Sequence, residues 1–240
     1  MMNFEIEDNI LIKYNGNDKN IAFPDNVTKI NEKAFRWCNS LENIIIPETV
    51  KEIGDEAFIS CRNLKSLEIS DSITKIGNGA FYGCDSLKSV KLPYSVVEIG
   101  IRTFGHCENL DFIEVDKYNQ CYCSEDGVLF SKSKFDLISY PTNKKNKNYK
   151  IPEGVMTIGE GAFEFCNNLI SIEIPDSVIE IEQTAFYRCE NLENLIIPDS
   201  IIKIGKLAFY GCKKLKTVSV SEHTLVGEYA FNRNVDIIRR

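Results

Sequence analysis

The chain has 240 residues, is 43% hydrophobic and 26% charged, and carries a formal net charge of −7. This is an ordinary soluble composition, and the acidic balance argues against a general nucleic-acid binder, which shows a basic footprint. No run approaches the ~18 apolar residues of a membrane span, so no membrane insertion is expected.

The chain opens with an extended piece, Phe4 to Tyr14, followed by a turn at Asn15-Gly16. Its first residues, MMNFEIEDNILIKYNG, place acids where a signal peptide needs bases and have no unbroken apolar core. The chain as written is therefore expected in the cytoplasm. From there the same residue types return every 23 positions: Phe35, Phe58, Phe81 and Phe104 are so spaced, and so are Phe163, Phe186 and Phe209. Self-similarity at such a period marks a solenoid, whose repeats bury their apolar faces against one another.

Each repeat begins with L-x-x-I-x-I-P. In Leu41 to Pro47, Ile44 and Ile46 alternate as a strand with one buried face requires. Proline at 24, 47, 93, 152, 175 and 198 ends that strand, since it cannot donate to a ladder. A second short extended piece, Val50 to Ile53, closes at Gly54. Asp55 to Cys61 is too short for a stable helix and reads as one helical turn that points Ala57-Phe58 inward. Seven of the nine cysteines (Cys38, Cys61, Cys84, Cys107, Cys166, Cys189, Cys212) follow the repeat phenylalanine by three residues. Such a column reads as buried free thiol. Neighbouring rungs lie near disulfide range, yet their parallel side-chain vectors disfavour bonding.

The period breaks once, because Phe104 and Phe163 are 59 residues apart. Within 116–150, the stretches Glu125 to Phe130 and Phe135 to Tyr140 flank Ser131 to Lys134 and read as a β-hairpin. Glu7 to Ile12 matches Glu125 to Phe130 position by position, which suggests two blocks, each opened by a hairpin. From Ser131 to Lys150 there are six lysines and one aspartate, a basic spot with too little apolar content to pack. The end is a shortened rung with Asn234 in the cysteine place. The expected division is one solenoid, 1–240: a hairpin cap (1–20), a first block (21–115), the hairpin insertion (116–150), a second block (151–222) and a terminal cap (223–240).

The motif I-P-x-x-V-x-x-I-G-x-x-A-F-x-x-C-x-x-L resembles the BspA-like leucine-rich repeat family over nearly the whole chain. The inserted S-E-D-G-V-L-F…L-I-S-Y-P segment is similar to one that such proteins carry. The resemblance implies an α/β-type, mostly β leucine-rich-repeat solenoid, a curved right-handed superhelix whose parallel sheet lines a concave face. It also implies protein binding or adhesion, commonly at the surfaces of bacteria and some protozoa, and it brings no catalytic residues.

Candidate chemistry is sparse. His106 adjoins Cys107, but sequence neighbours on a turning chain usually point apart. No C-x-x-C occurs, and Cys121 and Cys123 read as strand positions rather than metal ligands. The glycines at 54, 77, 100, 159 and 205 follow the second strand and belong to its turn, not to a phosphate loop. No cofactor, metal or enzymatic activity is expected.

What remains is surface. The outward place of the first strand reads Ala22, Ile45, Glu68, Lys91, Glu114, then Lys150, Glu173, Ile196, Ser219. Glu68, Lys91 and Glu114 alternate in sign along neighbouring rungs. Two places earlier the column is small and polar except for Phe112, which reads as packing under the following hairpin or as a binding hot spot. Ile45, Glu68, Lys91, Phe112, Glu114, Glu173 and Ile196 are thus the candidate binding residues, with Lys144, Lys145 and Lys147 a competing basic patch. Tyr82, Tyr187 and Tyr210, with Trp37 and Phe165 one place on, form an aromatic row that either covers the layer edge or stacks sugars. The reading favoured is a non-enzymatic module binding another protein on its concave sheet. The alternative is a surface adhesin that recognises host matrix protein or glycan.

Overall fold

Strand Asn43–Ile46 behaves as its alternation dictates: Ile44 and Ile46 are buried, and Ile45 stands 60% exposed between them. The computed structural model, which describes residues 3–240, repeats this arrangement along a mostly β solenoid. Two compact units are resolved, Met1–Gly127 and Val128–Arg240, and the division falls inside the 116–150 segment.

The first unit opens with an antiparallel hairpin, Phe4–Glu7 on Ile10–Tyr14, turned at Asp8 and Asn9. Ile10–Tyr14 then starts a parallel ladder of short strands: Lys29–Ile30, Glu52–Ile53, Lys75–Ile76 and Glu98–Ile99. The longer strands form their own parallel ladders, Asn20–Ile21 with Asn43–Ile46 and Ser66–Ile69, and Ser89–Leu92 with Phe112–Val115. In the second unit the hairpin is Val128–Ser131 on Asp136–Ser139. Its short strands are Thr157–Ile158, Glu180–Ile181, Lys203–Ile204 and Leu225–Val226. Its longer strands are Asn148–Lys150, Ser171–Glu173 and Asn194–Leu195, with Thr217–Val220 pairing Asp236–Arg239.

Between the ladders the repeat phenylalanines stack. Phe35, Phe58, Phe81 and Phe104 have centroids 4.7, 5.2 and 5.9 Å apart and rings within 7° of parallel. Phe163, Phe186, Phe209 and Phe231 follow at 4.8, 4.8 and 5.1 Å. Each stack begins on a tyrosine, Tyr14 against Phe35 and Tyr140 against Phe163. Tyr140 lies one full period before Phe163, so part of the 116–150 segment is a rung of the repeat. It packs Tyr140 and Pro141 inside and supplies the strand Asn148–Lys150. The expectation that its lysine-rich half cannot pack is corrected accordingly. The strand that plays the part of Ile10–Tyr14 is Asp136–Ser139, since Leu11 pairs Ile30 as Leu137 pairs Ile158.

The segment after the second strand is not a helical turn, and no α-helix occurs among the described residues. Its amides alternate between two sets of partners. Ala57, Ile59 and Cys61 donate to carbonyls three residues back, whereas Glu56, Phe58 and Ser60 donate to Asn78, Ala80 and Tyr82 of the next rung at 2.7–2.8 Å. A helix would require every amide to bond four residues back. The crossing amides run from earlier to later rung, while the glycine amides just after the short strands run the other way, as in Gly54 N–H to Ile30 O and Gly77 N–H to Ile53 O.

The alternation forces left-handed backbone two residues before and after the phenylalanine. Lys33 and Trp37 take φ of 58° and 62° around Phe35, and Thr184 and Arg188 take 52° and 56° around Phe186. Such a conformation costs a non-glycine residue about 1–2 kcal/mol, against about 0.5–1 kcal/mol of chain entropy for glycine. Lys33 is exposed, with only solvent-screened ion pairs to Glu32 and Glu56 at 3.7 and 3.8 Å. We expect Lys33→Gly to stabilise the chain by about 0.5–1 kcal/mol in urea denaturation. Gly79→Ala should move it the opposite way, because Gly79 has φ +55° and nothing within 3.7 Å of an added methyl.

Candidate functional site

The outward first-strand places fall on one face of each unit. In the first unit Ile45 lies opposite Glu68, and Lys91 lies opposite Glu114, each pair in parallel register. In the second unit Lys150 and Glu173 are paired in register and joined by a 2.7 Å ion pair that raises the lysine pKa. Ile196 stands beyond them, 77% exposed. Tyr149, Lys150, Glu173, Asn194 and Ile196 line a shallow depression of about 500 Å³ on this face. A side-chain ladder runs beside the column on the same face of each unit: Asn43 donates to Asn20 in the first and Ser171 to Asn148 in the second, both at 2.7 Å. At the strand edge Glu42 bridges Lys19 and Lys65 at 2.7 Å each, and those two hydrogen bonds hold its carboxyl down to about 2.

Phe112 answers to its packing reading while keeping part of its ring in solvent. It is 43% exposed, yet a methyl built on Gly127 would lie 2.5 Å from its Cδ2, so the ring rests on the Asp126-Gly127 turn. Gly127 has φ +75° and is placed by a bond from Ile113 N–H to its carbonyl, 3.0 Å. The basic patch is corrected in one member: Lys144 is only 8% exposed, buried within the rung that Tyr140 leads, while Lys145 and Lys147 reach solvent.

The aromatic row packs partly on itself and leaves Tyr210 and Trp37 exposed. Tyr187 lies 5.8 Å from Phe165, edge-on, and 6.1 Å from Tyr210, face-on, with the Arg188 guanidinium over both Phe165 and Tyr187. Tyr82 stacks on His106 at 5.8 Å and takes the Arg102 guanidinium at 5.0 Å. Trp37 is 60% exposed, with the Arg36 guanidinium 3.8 Å from its ring centroid.

His106 and Cys107 point apart. The imidazole faces Asp85 and Glu108 at 3.9 and 3.8 Å, while the Cys107 thiol donates to the Phe81 carbonyl at 3.2 Å. That bond recurs: the thiols of Cys61, Cys84, Cys189 and Cys212 donate to Phe35, Phe58, Phe163 and Phe186 carbonyls at 3.0–3.3 Å. All nine cysteines are free. Burial pushes the Cys107 thiol up to about 12 and the half-buried Cys38 thiol to about 11. Cys121 and Cys123 are half-buried, the latter within strand Tyr122–Glu125.

One surface escaped the sequence reading, the exposed column just before the short strands. In the second unit it holds Phe135, Met156, Ile179 and Ile202, all exposed. The 23-residue spacing of the last three was the available signal.

The sequence model of the BspA-type leucine-rich repeat region matches residues 5–124 and 139–239, in six copies. The structure is similar to that of the pneumococcal vaccine antigen PcpA, with TM-score 0.80 and 28% identity over 97% of this chain. The chain spans 66% of the length of that structure. A leucine-rich repeat protein from Bacteroides ovatus gives TM-score 0.56 and 26% identity, covering 96% of this chain and 66% of its own. One from Eubacterium ventriosum shares the fold at TM-score 0.73 and 22% identity, covering 91% and 77%. No curated protein matches the chain. No helix among the described residues is long and apolar enough to cross a membrane.

Two outcomes follow from the thiol column. A thiol reagent at neutral pH should reach no more than Cys38, Cys121 and Cys123 in the native chain and all nine in denaturant. A thiol whose folded pKa is raised adds stability below its unfolded value, and that stability is lost as pH rises toward the folded one. For Cys107 the loss falls between ~8.5 and about 12. Urea denaturation between pH 9 and 11 should therefore show a shallower decline for Cys107→Ala, by about 1.4 kcal/mol per pH unit.

Proposed function

The chain belongs to the BspA-type leucine-rich repeat family, and from that membership we propose that it is a non-enzymatic module that binds another protein on the long-strand face. The observation that carries the reading is the outward column of each unit, in which an exposed isoleucine adjoins charges: Ile45 beside Glu68 in the first, with Lys91 opposite Glu114, and Ile196 beyond the Lys150–Glu173 pair in the second. A mixed apolar and charged surface suits a protein partner better than lipid or nucleic acid. Each rung contributes a few free side chains, so affinity accumulates along the stack without reorganising the core. Ile45 and Ile196 are the anchors of choice, because Phe112 is partly engaged by the Gly127 turn.

The test is capture of partners from an extract of the native source, identified by mass spectrometry, then titration of the recovered protein against variants. Ile196→Asp, and separately Lys91→Glu with Glu114→Lys, should weaken binding at least tenfold with melting curves unchanged, since surface changes shift stability by about 0.5 kcal/mol or less. Lys145→Glu with Lys147→Glu is the competing pair. Loss of binding in that pair alone would move the site to the basic rung.

A second reading, display at a cell surface as an adhesin for matrix protein or glycan, draws on the likeness to the pneumococcal vaccine antigen. Labelling intact cells of the native source with a membrane-impermeant reagent decides it: a labelled chain supports display, and protection of the chain until lysis refutes it.

A further inference from the structure

The residues that lead into the short strands present a second face, and in the second unit that column is apolar, with Leu225, the register partner of Lys203, at its end. Phe135, Met156, Ile179, Ile202 and Leu225 are each between 36% and 71% exposed. They are consecutive in space. Met156 donates its N–H to the Phe135 carbonyl, Ile179 to Met156, Ile202 to Ile179 and Leu225 to Ile202, at 2.7–2.9 Å. The same column of the first unit, traced by the same bonds, reads Asn9, Thr28, Lys51, Thr74 and Val97. The backbone geometry is shared and the polar choice is therefore available, so packing within the rung does not require the aliphatic row. Isolated surface hydrophobes are common, but a contiguous row marks a contact surface.

Three residues before each of the last four members stands an exposed carboxylate: Glu153, Asp176, Asp199 and Glu222. Asp199 already holds the Arg240 guanidinium at 2.8 Å, so the column is placed to take basic side chains. We propose that this stripe docks a basic amphipathic helix of a partner protein, with aliphatic residues one per turn on the stripe and lysine or arginine against the acidic column. Spacing favours a helix. Rungs repeat every ~4.8 Å and helix turns every ~5.4 Å, whereas one face of an extended strand repeats every ~6.8 Å. Four rung steps span ~19 Å, about 13 helical residues. Charge argues against the other occupants. An anionic membrane surface is repelled by the acidic column, and a second copy brings the same carboxylates rather than a basic row. Helix-in-groove recognition of this kind reads anchors at i, i+3, i+4 and i+7.

The experiment uses the full chain and a fluorescent 18-residue peptide of leucine and lysine with the leucines on one helical face, followed by anisotropy. A second peptide carries glutamate in place of lysine. Met156→Thr with Ile179→Lys and Ile202→Thr copies Thr28, Lys51 and Thr74 of the first unit onto the second, and should melt like the parent. Saturable binding of the lysine peptide, at least tenfold weaker for this variant and for the glutamate peptide, and unchanged by Ile196→Asp, is the expected result. Should the triple variant fold poorly, Ile202→Glu alone provides the same comparison. Equal binding to parent and variant, or no saturable binding, overturns the proposal. So does a concentration-dependent dimer in sedimentation that only the variant loses, which would make the stripe a self-contact. Binding to phosphatidylserine vesicles that only the variant loses would assign the stripe to lipid and also overturn it.

Discussion

Everything in either unit depends on a backbone that must bond from rung to rung, at a register of 23 residues between the regular rungs and slightly fewer at the ends of each unit. A rung has too few residues to enclose a core, so its apolar side chains become buried only when the next rung lies ~4.8 Å away. The stacked phenylalanines are the side-chain expression of that spacing, at 4.7–5.9 Å between centroids. The thiol bonds follow from it too, because a cysteine three residues past one phenylalanine comes under the carbonyl of the phenylalanine before it. The left-handed residues flanking each ring are its cost: the amides that cross to the next rung at Lys33, Phe35 and Trp37 turn outward only if the backbone at 33 and 37 adopts positive φ.

Much of this was legible in the residues themselves. Ile44 and Ile46 announce a half-buried strand, and the cysteine column announces free thiols, because both depend on repetition at one place in the rung. What was not legible depends on contacts that repetition does not encode. Tyr140 occupies the phenylalanine place but breaks the pattern in letters, with Asn143 for cysteine, so its rung passed for an insertion and Lys144 for a surface lysine. The helical turn expected at Asp55 to Cys61 failed because local propensity cannot foresee that every second amide leaves for a neighbour. Of the candidate site, the outward first-strand column was readable, whereas the engagement of Phe112 by Gly127 needed the fold.

The two faces of the second unit divide the chemistry. The long-strand face mixes Lys150, Glu173 and Ile196 around a shallow depression, and the side of the short strands offers an exposed apolar row beside carboxylates. Neither requires the core to move, because the side chains that line them alternate with the ones that are buried. A stacked scaffold can in this way vary two recognition surfaces independently while keeping one interior.

The opposed direction of the crossing hydrogen bonds has an electrostatic consequence. The amides just after the short strands donate toward the start of the stack, as from Gly77 to Ile53, and turn amides donate toward its end, as from Phe58 to Ala80. Peptide dipoles on the two sides of each rung therefore oppose one another, unlike those of an α-helix, which sum to about half a charge at each terminus. Adding rungs to such a stack therefore adds dipoles of both directions. Its ends do not gather charge in the manner of a long helix, in which every peptide dipole points one way.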